Sequence, residues 1–335
     1  MQKYWKSIVG IDVSKKTLDI AVGENAPNAK VTKLCITNNL KGYDKLTAWL
    51  TEQGMKFSQV LICLENTGIY HRLLVEYLQS KEAFVWVETP VQIKWSGGIQ
   101  RGKSDAVDAQ RIMSYAYRNQ DKAKAYKSKD KVLQQVSDYL SLRERLQACT
   151  KSLKQPIKEL RAVGLEAESK ELEKACTKSL KALQKELKAL DQKILVLIEK
   201  DGELKKKYEL ATSVRCVGFV AASYLLVYTH GFTRFDSAKK LASYAGIAPF
   251  EYSSGTSIRG RTKVHPMGNK TLKTILHMCA VSSVRHNKEL KAYFDRKVGQ
   301  GKNKMLVLNA IRNKIVGRVF SCVKHERMYT EKYAA

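Results

Sequence analysis

The sequence is short of acidic residues and of long apolar runs. Its 335 residues include 32 Asp and Glu against 60 Lys and Arg, which gives a formal net charge of +28. Such a surplus costs self-repulsion unless a polyanion offsets it, and nucleic acid is the commonest such partner. An anionic membrane is the competing partner, but no apolar run reaches the roughly 18 residues that span a bilayer, and no charged-then-apolar leader follows Met1. We therefore expect no membrane partner and a cytoplasmic location.

Metal-binding or disulfide-forming cysteine patterns are also missing. The seven cysteines are odd in number, widely scattered and never spaced as C-x-x-C. This spacing argues against a zinc knuckle and against a disulfide framework. We expect free thiols in a reducing compartment.

The chain exceeds the length of a typical single domain, and its character changes twice. We predict an α/β domain over 1–128, a helical coiled-coil insertion over 129–207 and a mainly α, basic domain over 208–335. The first of these alternates strand and helix patterns, as expected of a mixed sheet. The predicted strands are 7–12, 17–22, 31–37, 60–64 and 84–87, and the predicted helices are 40–53 and 70–80.

The middle segment has the spacing of a coiled coil. Its apolar residues step by three and four, as in a heptad seam: Leu180, Leu183, Leu187, Leu190, Ile194 and Leu197. A looser series lies upstream, and a turn around 162–169 contains Gly164. Two helices folded back as an antiparallel pair fit this pattern, and so does a coiled coil between two chains.

Basic residues are concentrated at the end of the chain. Residues 254–335 contain 18 Lys and Arg against 4 Asp and Glu, half of the total charge surplus. We predict helices over 270–285 and 304–324. The Gly, Ser and Pro content of 252–269 predicts a long loop before them. Lysine-rich helices with few aromatic residues favour contacts with a nucleic-acid backbone over base stacking.

Four of the scarce acidic residues occupy informative positions. Asp12 and Glu65 each end an apolar strand, so both should emerge at one end of the sheet if those strands run parallel. Asp105 and Asp108 have helical i, i+3 spacing and share one helix face. Alone, either Asp of that pair reads as a helix cap, and Asp12 reads as a turn residue. Together, in a basic α/β domain, they predict a RuvC-like (ribonuclease H-like) fold.

This carboxylate set suits phosphodiester cleavage by two metal ions. Four carboxylates can hold two Mg²⁺ about 3.5–4 Å apart, one at the attacking and one at the leaving oxygen. Magnesium prefers hard oxygen ligands, which Asp and Glu supply. We therefore predict Mg²⁺, with Mn²⁺ as a substitute, at Asp12, Glu65, Asp105 and Asp108.

Several motifs resemble one known family. The segments GIDVSKKTLDIAV around Asp12, ENTGIY from Glu65 and KSDAVDAQRI around Asp105 and Asp108 resemble the DEDD transposases of bacterial insertion sequences. The stretch LASYAGIAPFEYSSGTSIRGRTKVHPMGN is similar to the second signature of that family. The resemblance covers both ends of the chain in the same order. One departure is VRCVGFVAA, which has Cys216 where the family often has the first glycine of a Gly-x-Gly turn.

The resemblance implies a mechanism and partners. It implies a RuvC-like domain that binds Mg²⁺ through the DEDD carboxylates, and a serine nucleophile that matches Ser254 here. Members of the family are recombinases guided by a structured non-coding RNA that pairs with donor and target double-stranded DNA. They assemble as homo-oligomers, here expected as a tetramer built from two dimers that associates with the bacterial nucleoid in the cytoplasm. The carboxylates of one protomer then work with the serine of another.

The residues around Ser254 fit such a role. A serine hydroxyl needs a base or a metal for activation, and attack on phosphorus would give a phosphoserine linkage that permits religation without ATP. Ser253 and Ser257 are the alternative nucleophiles. Basic residues that could neutralise phosphate charge follow closely: Arg259, Arg261, Lys263, Lys270 and Lys273.

The sequence thus predicts an RNA-guided transposase that forms a phosphoserine–DNA intermediate. A RuvC-like nuclease that uses water as nucleophile is the first alternative. A nucleic-acid-binding scaffold with inactive carboxylates is the second.

Overall fold

The computed structural model contains two compact units, residues 1–128 and 129–335. The structure describes residues 5–66, 68–98, 105–254 and 258–330. Of these, residues 105, 106, 252–254, 258, 259 and 261 are described by their backbone and not by their side chains. Within these residues, no helix is long and apolar enough to cross a membrane.

The first unit is built on a five-stranded mixed sheet with the order β3-β2-β1-β4-β5. β1 pairs antiparallel with β2 and parallel with β4, while β5 continues the parallel part beside β4. The predicted mixed sheet and all five predicted strands are therefore confirmed. The strands are β1 (Ser7–Val13), β2 (Thr17–Glu24), β3 (Thr32–Thr37), β4 (Val60–Glu65) and β5 (Phe84–Glu88).

Helices cover both faces of this sheet, which is why its central strands are apolar throughout. α1 (Leu40–Glu52) and α2 (Arg72–Ser80) pack on one face, where Tyr43, Leu46 and Leu74 are fully buried. α3 (Pro90–Ser96) and α4 (Asp105–Arg118) belong to the other face. Alternate residues of each central strand therefore enter two different apolar clusters.

Gly10 lets α4 approach the sheet unusually closely. A methyl group on Gly10 would lie 2.3 Å from the Met113 nitrogen and 2.4 Å from the Ala109 carbonyl oxygen. Only a residue without Cβ fits this contact between the middle of β1 and the backbone of α4. The contact fixes the height of α4 over the strand.

The second unit begins with two long helices, α5 (Lys131–Ala162) and α6 (Glu166–Lys200). They are joined by a short turn at Gly164, whose φ is +84°, and pack along each other as an antiparallel pair within one chain. Arg143 binds Asp191 through two contacts of 2.7 and 3.4 Å, and Arg161 pairs with Glu173 nearer the turn. The structure thus realises the first of the two arrangements that the heptad spacing allows.

The remainder of this unit is mostly helical. Two apolar clusters hold it together, one centred on Ile311 and Leu225 and the other joining α5 and α6 through Ile194 to Leu226. The helices are α7 (Gly202–Ser213), α8 (Phe219–Thr229), α9 (Ala238–Tyr244), α10 (Lys270–His286), α11 (Lys288–Gly299) and α12 (Lys304–Lys324).

The long loop predicted over 252–269 is wrong for most of its length. β6 (Pro249–Ser254) and β7 (Ile258–Val264) form an antiparallel hairpin there. Ser253, Ser254 and Gly260 belong to these strands, which have an irregularity between Phe250 and Tyr252, while Ile, Thr and Val in β7 favour extended backbone. Among the described residues of this segment, 265–269 are non-regular.

Candidate active site

The pairing of β1 with β4 aligns Asp12 and Glu65. Their register pairs Ile11 with Leu64, so the next residues, Asp12 and Glu65, emerge side by side at the same edge. Asp12 lies two residues after Gly10, and Glu65 lies two residues after Cys63. Because alternate residues of a strand share a face, both lie on the face that α4 covers. Both are partly exposed. The expectation that two strand-end carboxylates meet at one edge of the sheet is confirmed for the backbone.

The direction of α4 brings its first turn to this edge. Just beyond the far end of α4, Gln120 accepts a 2.9 Å hydrogen bond from Asn25 Nδ2. The same amide donates to the carbonyl of Trp5, which lies before β1, at 2.8 Å. The end of α4 is thus at the start of β1, and the start of α4, with Asp105 and Asp108, is at the end of β1.

The side chain of Asp108 already has a cationic neighbour. Arg111 Nη1 lies 2.6 Å from Asp108 Oδ1, one helical turn along α4, and both side chains are partly exposed. The Asp105 side chain lies outside the described residues. Across the part of the chain that the structure describes, no three His, Cys, Asp or Glu side chains come together as a metal-binding group. Metal binding by these residues therefore requires Asp108 to leave Arg111 or to share its second oxygen.

Two further acidic residues belong to the same row. Asp19 of β2 pairs directly with Asp12, and Glu88 of β5 pairs directly with Glu65. The alternation of side chains along each strand places both on the face that α4 covers. Four neighbouring strands, β2, β1, β4 and β5, therefore each carry one acidic residue at the same level of the sheet. Sequence reasoning missed both. The pattern FVWVE, an apolar strand that ends in a carboxylate as VLICLE does, could have singled out Glu88, whereas Asp19 inside its strand has no such pattern.

Glu88 has two hydrogen-bond partners at this edge. The Tyr115 hydroxyl of α4 donates to Glu88 Oε2 at 3.1 Å, and the Thr89 backbone N–H donates to Oε1 at 2.7 Å. Burial, followed by the charge of Glu88, raises the pKa of Tyr115 well above its usual range. Burial and the same carboxylate also raise the pKa of the Cys63 thiol. Tyr115 thus stays a neutral donor that ties α4 to the end of β5.

The donor chemistry of this edge fits a divalent metal. Carboxylate oxygens are the ligands that Mg²⁺ and Mn²⁺ prefer, and each strand-end residue is held by a buried backbone on one side. The absent Cβ at Gly10 lets α4, which begins at Asp105, pack directly against the backbone of β1. Asp12, Glu65, Asp105 and Asp108 are the residues that would hold the metal.

The second unit places the predicted nucleophile at the tip of the β6–β7 hairpin. Ser254 is the last residue of β6 and pairs with Ile258 across a turn that lies outside the described residues, together with Ser257. The backbone of Ser253, one position earlier, pairs with Arg259. Ser254 is therefore carried at the end of a two-stranded arm, and its side chain is not among those described.

Two glycines close the base of this arm. A methyl group on Gly268 would lie 2.2 Å from the Gly246 Cα, and Gly246 itself has φ of +66°. The Asn269 N–H donates to the Tyr244 carbonyl at 2.8 Å beside them. The chain therefore enters and leaves the hairpin through one narrow contact that no side chain could fit.

Basic residues follow the hairpin into the next helix. Lys263 in β7 and Lys270 at the start of α10 are exposed, and Lys273 is partly exposed. The side chains of Arg259 and Arg261 lie outside the described residues. These lysines lie on the surface, and their contact with nucleic acid stays a prediction.

The turn before α8 has an unusual backbone at Cys216. Its φ is +70°, in the left-handed region that favours glycine. Gly218 follows as the N-cap of α8 and has nothing within 4 Å of where its Cβ would be. The position where the family often has glycine thus keeps a glycine-like conformation in spite of the substitution.

Comparisons with known proteins match segments of both units. A family model described as transposase of the IS116/IS110/IS902 family matches residues 208–295. A second transposase model, for the DEDD part of IS110, matches residues 9–163. The chain belongs to the IS110 family of transposases. It is therefore an enzyme of DNA strand cleavage and rejoining.

Several curated relatives are similar along the chain. The "Pilin gene-inverting protein" of Moraxella lacunata is 27% identical over 331 residues, which cover 98% of this chain and 98% of that protein. The same figures hold for the protein of that name from Moraxella bovis. The "Insertion element IS110 uncharacterized 43.6 kDa protein" of Streptomyces coelicolor is 32% identical over 124 residues, which cover 37% of this chain and 30% of that protein.

Among solved structures, the RuvC of T. thermophilus is similar in part. In its complex with a Holliday junction substrate, the matched region covers 36% of this chain and 99% of the RuvC chain, with 13% identity and a TM-score of 0.26. Another Thermus thermophilus RuvC structure gives 15% identity at the same TM-score.

Proposed function

We propose that this IS110-family transposase cuts donor and target DNA with metal held by the DEDD set and rejoins the ends through a phosphoserine intermediate. The observation that carries the proposal is the parallel register of β1 and β4, which aligns Asp12 with Glu65 beside the first turn of α4. Transposases and RuvC-like enzymes act on DNA and typically depend on a divalent metal. Mg²⁺, two per site, is the proposed ion here, with Mn²⁺ able to replace it.

Each residue of the site has a separate task. Asp12 and Glu65, on neighbouring strands, fix the ligand positions through buried backbone, and Asp105 and Asp108 complete the set from α4. A bound metal would activate the attacking oxygen and stabilise the leaving one. Arg111 holds Asp108 at 2.6 Å and would turn to the phosphate once Asp108 binds metal.

Ser254 would supply the attacking oxygen. Its Oγ–P bond would replace one P–O bond of the DNA, so that the energy of the phosphodiester is conserved and rejoining needs no ATP. The hairpin tip supports this role because it extends Ser254 from the helical unit on a narrow base. Carboxylates of one protomer and the serine of another would act on the same strand. Lys263, Lys270 and Lys273, with Arg259 and Arg261, would neutralise the backbone of that DNA.

A structured guide RNA would choose the DNA sequence. The surplus of 14 positive charges in 254–335 exceeds what a solvated basic surface needs. Lysine contacts to phosphates carry no sequence information, so pairing with an RNA would supply it. We expect joining to need the RNA of the element, and purified protein with donor and target DNA alone to give no joined product.

Self-association into a tetramer built from dimers is part of the same proposal. Along α6, Leu190 and Ile194 are buried, whereas Leu180, Leu183 and Leu187 remain only partly buried against α5. A partly exposed leucine seam favours further helix packing. Light scattering of the purified chain should therefore report more than one copy.

DNA inversion is a second candidate outcome of the same chemistry. It is favoured by the relatives called pilin gene-inverting proteins, which align over 98% of both chains. Two sites in opposite orientation on one plasmid would report inversion, and two separate DNA molecules would report insertion.

A joining assay tests the proposed function. Protein, element RNA, donor and target DNA, and Mg²⁺ are incubated, and joined strands are detected on denaturing gels. Asp12→Asn should abolish cleavage and joining. Asp121→Asn, an exposed acidic residue beyond the far end of α4, should leave them unchanged. Equal loss in both variants, or full activity in Asp12→Asn, would overturn the proposal.

A further inference from the structure

Four large apolar side chains are exposed beside the carboxylate edge of the first unit. Leu40 begins α1 and is 63% exposed, while Ile69 (60%), Tyr70 (40%) and Leu73 (62%) lie between Glu65 and the first turn of α2. We call these four residues the apolar rim. Contiguous exposed apolar surface in a soluble protein marks a site of interaction.

One hydrogen-bond network centred on the partly buried Asn38 holds the segments of the rim together. Asn38 Nδ2 donates to the Tyr70 carbonyl at 3.1 Å and to the Ser14 carbonyl at 2.8 Å. Its Oδ1 accepts a 2.5 Å hydrogen bond from the hydroxyl of Tyr43, which is fully buried. The turn after β1, the start of α1 and the segment after β4 are therefore fixed to one another.

The rim also lies next to the proposed reaction centre. Ser14 follows Asp12 by two residues, and Ile69 follows Glu65 by four. The Asn66 N–H donates to the Glu88 carbonyl at 2.8 Å, so the chain remains part of the sheet edge just beyond Glu65. Both sides of the rim thus originate at the carboxylates.

Lysines surround these apolar side chains. Lys15, Lys16 and Lys41 are exposed and occupy the same two segments as Ser14 and Leu40, and Arg72 is partly exposed between Tyr70 and Leu73. A protein partner with an apolar face would need matching acidic groups. DNA offers both components, because its phosphates take the lysines and its bases present apolar faces once they are unstacked.

We propose that the apolar rim inserts into DNA and holds unstacked bases next to the scissile phosphate. Leucine and isoleucine are among the side chains that act as wedges between base steps, and Tyr70 offers a ring for stacking. Opening the strand exposes the phosphate to the carboxylates. This inference rests on the proposed function only in that Asp12 and Glu65 act on DNA.

A binding assay with full-length protein in EDTA tests the rim apart from catalysis. Two fluorescein-labelled duplexes are compared, one fully paired and one with two unpaired central bases of which one is 2-aminopurine. Wild type should prefer the unpaired site about tenfold and should change its 2-aminopurine emission. Ile69→Ser with Leu73→Ser should lose the preference and the emission change and still bind the paired duplex, because the lysines remain.

A matched control removes exposed apolar residues elsewhere. Val163 and Leu165, 71% and 43% exposed at the turn between α5 and α6, are replaced by serine and should leave both signals unchanged. An unaltered preference in the Ile69/Leu73 variant would overturn the inference, and so would a change of oligomeric state in that variant, which would make the rim a contact between copies.

Failure of the proposed function is recognised separately. With Mg²⁺, element RNA, and donor and target DNA, absence of cleavage by wild type together with an intact rim-dependent preference would reject the carboxylate mechanism and support the rim. Cleavage by wild type without any rim-dependent preference would do the reverse.

Discussion

The two units position their proposed reactive residues in opposite ways. In the first, Asp12 lies near the end of β1 and Glu65 is the last residue of β4, and a helix packed against Gly10 carries the other acidic residues. In the second, Ser254 lies at the tip of a hairpin joined to the helical core through Gly246 and Gly268. Metal ligands need fixed mutual distances, whereas a nucleophile that reaches the site of another protomer needs extension. The difference follows from those two requirements.

A comparison of two neighbouring glutamates should give the largest effect. Glu65→Gln should reduce cleavage on the order of a thousandfold, since a lost metal ligand removes several kcal/mol of transition-state stabilisation. Glu88→Gln should cost about tenfold or less, because Tyr115 and Thr89 already use its oxygens. Single-turnover cleavage rates measure both. Equal losses would place Glu88 among the metal ligands.

Alanine substitutions at the close glycine contacts should lower the free energy of unfolding of each unit. Gly10→Ala forces Cβ onto the backbone of α4, and Gly268→Ala forces it onto Gly246, so each should cost about 1–3 kcal/mol or more of unfolding free energy. Gly268→Ala should additionally lose joining by misdirecting the hairpin. Denaturant unfolding provides the measurement. The control is Gly317→Ala in α12, where nothing outside the helix's own backbone lies within 4 Å of the new Cβ; it should be neutral or stabilising. A Gly268→Ala variant with wild-type stability and activity would contradict the role of the Gly246–Gly268 contact in directing the hairpin.

Acid should destabilise both units through one histidine each. Burial, followed by the charge of Arg72, lowers the pKa of His71 to about 4. Burial, followed by the charges of Arg234 and Lys129, lowers the pKa of His230 to about 4. Each is neutral when folded but takes up a proton in the unfolded chain, so stability is complete above pH 6.5 and declines toward pH 4.

For His71 the loss should be on the order of 2 kcal/mol. His71→Phe should flatten the pH dependence of unfolding of the first unit. His230→Asn should do so for the second, since Asn tolerates the left-handed φ of 50° at that position. Thermal melts at pH 7 and pH 5 check this, and a slope that survives in both variants would contradict it.

The smallest effect concerns the long helical pair. Arg143→Met removes a partly buried two-point contact with Asp191 and should cost about 1 kcal/mol. Arg161→Met breaks an exposed pair with Glu173 and should cost at most about 0.5 kcal/mol. Urea midpoints distinguish them, and a reversed order would show that the ends of the pair contribute more than its base.

Patterns of burial explain how much could be predicted. The strands ending in Asp12 and Glu65 were evident because strands buried on both faces are uniformly apolar, and the helix of Asp108 followed from i, i+3 spacing. The heptad leucines indicated a paired helix but not its partner, which the turn at Gly164 decides. The positions of Asp12 and Glu65 at one edge of the sheet were thus predictable, and their role as metal ligands stays a prediction.

Contacts distant in sequence explain what was missed. The hairpin was taken for a loop because Gly255, Gly260 and the serines are read locally, whereas the closure of Gly246 on Gly268 depends on residues 22 positions apart. The position of Glu88 beside Glu65 depends on strand order, which no local pattern encodes. The α5–α6 pair belongs to the same compact unit as the basic helices, a grouping that composition does not reveal.

Covalent attachment of DNA tests the central claim most directly. Full-length protein is incubated with element RNA, donor and target DNA and Mg²⁺, denatured, and analysed by mass spectrometry for a phosphoserine-linked nucleotide. The account predicts an adduct at Ser254 in wild type and in Ser253→Ala and Ser257→Ala, and none in Ser254→Ala or Asp12→Asn. Cleavage by Ser254→Ala at the wild-type rate without any adduct would contradict it and leave a metal-dependent nuclease that uses water.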